Sequence, residues 1–85
     1  MLQIHLKEDD PVTHFIEARA SQLGMSVSEV ASEVLRESFL HAVKTLHTQF
    51  MAGEISQGYM AESLGIQRLE LIHLLNDLQL PINNL

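Results

Sequence analysis

Eighty-five residues make one modest domain or two very small modules, since further division would leave each piece too little interior to be stable. Cysteine is absent, which excludes a disulfide framework and a thiolate metal site, and no run approaches the about 20 apolar residues of a membrane span, so a cytoplasmic protein is expected. A net charge of -6, from 5 Lys+Arg against 11 Asp+Glu, excludes blanket attraction to nucleic acid and leaves any such contact to the local placement of a few cations.

Leu2-Gln3-Ile4-His5-Leu6-Lys7 alternates apolar and polar residues, the period of a strand with one buried face. Glu8-Asp9-Asp10-Pro11 turns the chain into a helix, with Asp10 as N-cap and Pro11 at the first helical position, where a missing N–H costs nothing. Val12, Phe15, Ile16, Ala20 and Leu23 share one face of that helix, and Gly24 ends it. Ser26-Val27-Ser28-Glu29 is a capping box that opens a second helix at Val27. Its apolar stripe runs through Val30, Ala31, Val34, Leu35, Phe39, Ala42, Val43 and Leu46, with no breaker before Gly53, either as one helix or as two with a bend near Leu40. Ser56 caps a short helix through Leu64, Gly65 permits a tight turn, and Arg68 to Leu78 forms a last helix that Pro81 stops. Residues 82–85 read as a polar, frayed tail.

One strand in an otherwise helical chain has no internal partner for its main-chain donors and acceptors. A second copy, related by a twofold axis, supplies one: an antiparallel two-stranded ribbon with Leu2, Ile4 and Leu6 packed against both sets of helices. Phe15, Val34 and Leu35 complete the expected dimer core. Gln3, His5 and Lys7 then project from the opposite face, and a β-ribbon fits the DNA major groove, where Gln addresses adenine and Lys addresses guanine. An irregular arm, or an edge strand whose polar side faces water, is the other reading of the same period.

The order of strand, short helix, Leu23-Gly24 turn and Ser26-x-Ser28-Glu29 over residues 2–39 resembles the ribbon-helix-helix family, which includes the Arc and MetJ repressors and many antitoxins. The resemblance implies that Gln3, His5 and Lys7 read bases while the start of the second helix touches phosphate. Free N–H groups near Ser26, Val27 and Ser28 suit that anion, because a helix N-terminus carries partial positive charge. Such contacts position a protein without specifying sequence, and the same serines also serve simply as caps.

Met60, Ala61, Leu64, Gly65, Ile66, Leu71 and Leu74 have the spacing of a helix-turn-helix, in which small residues let two helices approach. Residues 50–82, notably Gly53-Glu54-Ile55-Ser56, Ala61-Glu62-Ser63-Leu64-Gly65-Ile66 and Leu80-Pro81-Ile82, resemble the tail of a family of small prokaryotic VapB-like antitoxins. They depart from it at Gln67 and Leu69, where a Ser cap and an aromatic are usual. Between Met51 and Leu85 Arg68 is the one cation, opposed by Glu54, Glu62, Glu70 and Asp77, which weighs against DNA contact by these helices and favours packing or the capture of a basic partner.

His5, His14, His41, His47 and His73 have no helical three- or four-residue pairing and give no metal site, and no cofactor is expected. Glu29, Glu33 and Glu37 form a solvated acidic stripe. No phosphate loop or nucleophile motif supports an enzyme. The expectation is therefore a mainly α protein: a ribbon-helix-helix homodimer with an intermolecular two-stranded antiparallel β-ribbon over residues 1–50, plus helix-turn-helix-like helices over 51–85. Its expected role is a DNA-binding transcriptional autoregulator bound to operator DNA, and by resemblance an antitoxin paired with a ribonuclease-type toxin. A dimeric protein–protein interaction module that has lost DNA binding is the alternative, and it accommodates the acidic charge.

Overall fold

The computed structural model describes residues 5–84. Four helices follow in chain order: α1 (Pro11–Leu23), α2 (Val27–Met51), α3 (Gln57–Leu64) and α4 (Arg68–Asp77). Local chemistry sets their ends. Asp10 Oδ1 accepts from the Val12 N–H at 2.8 Å, Pro11 occupies the first turn of α1, and Gly24 closes it with φ 65°, a left-handed conformation that only glycine adopts without steric cost. At α2 the capping box is reciprocal: Glu29 N–H donates to Ser26 Oγ at 3.1 Å, and Ser26 N–H donates to Glu29 Oε1 at 3.2 Å. Ser56 Oγ accepts from the Tyr59 N–H at the start of α3, and Gly65 ends that helix with φ 72°. Gln67 N–H donates to Glu70 Oε1 at 3.1 Å, so Glu70 satisfies the N-cap donor at the opening of α4, and Gln67 stands where a serine cap is usual.

Among the described residues the expected β-ribbon is not present. The described residues are entirely helical or irregular, with no strand and no sheet, and this overturns the ribbon-helix-helix architecture at its ribbon. His5, Leu6 and Lys7 lie in an irregular segment, whereas Leu2, Gln3 and Ile4 fall outside the described residues. The physical reason is visible at the end of the segment. The Lys7 carbonyl accepts from Asp10 N–H at 3.1 Å and from Thr13 Oγ1 at 2.9 Å, so this acceptor is spent on the turn into α1 instead of on a ladder. Alternation marks a face to be covered. It does not supply a neighbour.

The chain divides into two compact units, Met1–Ser38 and Phe39–Leu85, and α2 contributes to both. In the first, Ile16, Ala20 and Val30 are buried, with Met25, Ala31 and Val34 packed around them. The second buries Val43, Phe50, Met60, Ala61, Leu71 and Leu75 from α2, α3 and α4, and is closed by partly buried Leu78, Leu80 and Ile82. The expected frayed tail is corrected here: Ile82 packs on this core, and Asn84 Nδ2 donates to the Phe50 carbonyl at 3.3 Å. An apolar residue after Pro81 finds a core to cover, and that burial holds the segment.

Candidate nucleic-acid and partner interface

The first unit carries most of the residues singled out from the sequence. His5 and Lys7 are exposed in an irregular segment; Gln3, Leu2 and Ile4 lie outside the described residues. Of the expected dimer core, Leu6, Phe15 and Leu35 are exposed, at 45%, 48% and 46%, and Val34 is half-buried. These residues frame two grooves. One, of about 570 Å³, is lined by Leu6, Ile16, Val27, Ala31 and Leu35 with Thr13, Ser28 and Ser32. The second, about 220 Å³, has Phe15, Leu23 and Val34 along its floor and Arg19, Glu33 and Glu37 beside them. Within it the Arg19 guanidinium sits 5.3 Å from the centroid of the Phe15 ring, a cation–π arrangement.

Ser26, Val27 and Ser28, the expected phosphate contacts, are all exposed at the start of α2. Their electrostatics are less favourable than the bare helix end suggests. The Ser26 N–H is already taken by Glu29, and that carboxylate places negative charge where a phosphate would come. The two roles for this capping box, a fold device and an anion seat, therefore compete at the Ser26 N–H and not at those of Val27 and Ser28.

In the second unit, α3 and α4 pack together across the three residues Gly65-Ile66-Gln67. Ala61 is buried where the helices close, and its small side chain permits the approach that the sequence spacing implies. Leu71 and Leu75 fix one face of α4 in the core, which leaves Gln67, Arg68, Leu69, Glu70, His73 and Asn76 on the outside. Sequence reasoning missed a polar chain at this end of the unit. Arg68 Nη2 donates to Gln57 Oε1 at 3.0 Å, and Gln57 Nε2 donates to the Ile82 carbonyl at 3.1 Å. His47, 8% exposed, likewise donates from Nε2 to the Pro81 carbonyl at 2.8 Å, which fixes the proton on that ring nitrogen. A signal for His47 existed: it follows Val43 by four residues on the apolar stripe of α2, where an imidazole needs a buried partner. Nothing in the sequence pointed to Gln57 or Asn84.

Among the described residues no group of three or more His, Cys, Asp or Glu side chains is placed to hold a metal ion, and no helix is long and apolar enough to cross a membrane. In comparisons with known proteins the chain matches no family model, no curated protein and no solved structure.

Proposed function

We propose that the chain is a homodimeric, cytoplasmic DNA-binding regulator of the antitoxin kind, with the α3–α4 hairpin as its DNA-facing element. The observation that carries this reading is the geometry of that hairpin: an eight-residue helix, a left-handed glycine, and a ten-residue helix pinned by Leu71 and Leu75 with its opening turn exposed. In helix-turn-helix proteins the second helix presents its N-terminal residues to base edges, and dimers place two such helices about one DNA turn apart. The exposed Leu6, Phe15 and Leu35 support association with a second copy, since side chains left about half in water forgo about half of the roughly 1.5–3 kcal/mol that full burial of each supplies. The likeness of residues 50–82 to VapB-like antitoxins supports a toxin partner, and the excess of carboxylates suits a basic one.

A second reading, an interaction dimer without DNA binding, is favoured by the net charge of -6 and by the four carboxylates that accompany Arg68 in the last third. Titrating the protein against duplex from immediately upstream of its own coding sequence at two salt concentrations separates the two. Sequence-preferring binding that weakens with salt supports the regulator. No binding at either concentration leaves the interaction dimer. Co-purification with the product of a neighbouring reading frame tests the antitoxin part.

A further inference from the structure

We infer that Arg68 is a phosphate contact of the α3–α4 hairpin and that Gln57 is the residue that positions it. This rests on the DNA-binding reading above and adds to it the residue that meets the anion. Arg68 is exposed, and it is the sole cation between Met51 and Leu85. Its hydrogen-bond partner is a neutral amide, Gln57 Oε1 at 3.0 Å, so the guanidinium is oriented without losing its charge. One of its five N–H donors is thereby committed, and the others stay available for a phosphate.

The amide is itself held. Gln57 is half-buried, and its Nε2 donates to the Ile82 carbonyl at 3.1 Å, which dictates which end of the amide faces Arg68. Ile82 in turn packs against the core of the second unit. A chain of contacts thus runs from an apolar anchor through a main-chain carbonyl and an amide to a charged tip. That arrangement restricts the side-chain freedom of Arg68 before any ligand arrives. Preorganisation of this sort lowers the cost of ordering the side chain when a ligand binds.

The test measures affinity for two duplexes, the protein's own upstream sequence and a random sequence of equal length, across a series of salt concentrations. Arg68→Ala is expected to weaken both duplexes by a similar factor and to lower the log–log salt slope by about 0.9 per guanidinium removed. Arg68→Lys retains the slope. Gln57→Glu places a carboxylate against the guanidinium and is expected to reproduce the slope loss of Arg68→Ala. Gln57→Met weakens binding in the native background and has no further effect once Arg68 is Ala, the signature of one residue acting through another. Unfolding midpoints, measured alongside, are expected to be unchanged for the Arg68 variants, as for surface changes, and lowered for the Gln57 variants, which lose the bond to the Ile82 carbonyl but remain folded at the assay temperature; should Arg68→Ala fail to fold, Arg68→Gln replaces it. If the unaltered protein binds neither duplex, the DNA-binding reading falls and the inference with it. If it binds with a steep slope that Arg68→Ala leaves unchanged, the reading stands and Arg68 is not the contact. Loss confined to the upstream duplex overturns the phosphate role, and an equal effect of Gln57→Met in both backgrounds overturns positioning.

Discussion

The two units solve the same problem of burial in opposite ways. Phe39–Leu85 collects most of its apolar residues inside: Val43, Met60, Leu71 and Leu75 are fully buried, the tail residues Leu80 and Ile82 close the remaining side, and Phe39, Met51, Tyr59 and Leu69 stay exposed. Met1–Ser38 buries Ile16, Ala20 and Val30 and leaves Leu6, Val12, Phe15, Leu23, Val27 and Leu35 exposed. Composition does not explain this, because both stretches are rich in aliphatic side chains. The difference lies in the number of layers. Three helical segments with short connections enclose a shared interior in the second unit, whereas α1 and the start of α2 give the first unit two helical segments, which can cover only one face of each other. The second unit covers most of its apolar side chains with its own segments; the first leaves a larger share of its own in water.

That contrast breaks or sharpens on direct measurement. The largest effect is expected from Leu71→Ala, which opens a cavity in the second core and should cost about 2–5 kcal/mol, read from urea unfolding and independent of protein concentration. Leu35→Ala is expected to cost about 2 kcal/mol through lost association, with an unfolding midpoint that moves with protein concentration. A loss below about 0.5 kcal/mol at every concentration would mean that the exposed face of the first unit is an ordinary surface, and the comparison would fail. Hydrogen exchange offers the same division without a mutation: on dilution, protection of amides in α1 should fall while that in α3 and α4 holds.

Smaller effects probe the local devices. Ser26→Ala should destabilise α2 by about 1 kcal/mol, and Glu29→Ala added to it should cost less than the sum, because both belong to one reciprocal pair. The smallest change is a gain. Gln79 has φ 59°, in the left-handed region that a side chain resists, so Gln79→Gly should stabilise the second unit by about 0.5 kcal/mol after glycine's extra unfolded-state entropy is deducted. A loss on that substitution would show that the Gln79 side chain contributes more than its backbone costs.

What the sequence disclosed follows the range of the interactions involved. Asp10-Pro11, Gly24, Ser26-x-x-Glu29, Ser56 and Gly65 act within a few residues of themselves, and each marks a helix end where the structure has one. The apolar stripe of α2 and the spacing of Met60, Ala61, Leu71 and Leu75 likewise pointed to the faces that meet in the second core. The ribbon failed because its support had to come from outside the segment, and alternation at Leu2 to Lys7 carries no information about a neighbour. The tail failed for a similar reason: Asn84 reaches Phe50, and Pro81 reaches His47, each across 34 residues, a distance over which no local pattern speaks. Gln57 and Arg68, eleven residues apart on different helices, were invisible as a pair for the same cause.

The way the last residues are tied has a practical meaning for anyone handling the protein. Shortening the segment inward past Asn84 would first release the Phe50 carbonyl, then take Ile82 from Gln57, and last remove the acceptor of His47. Each loss would unfasten one more group of the second unit, so the segment acts as a clasp with three separate catches.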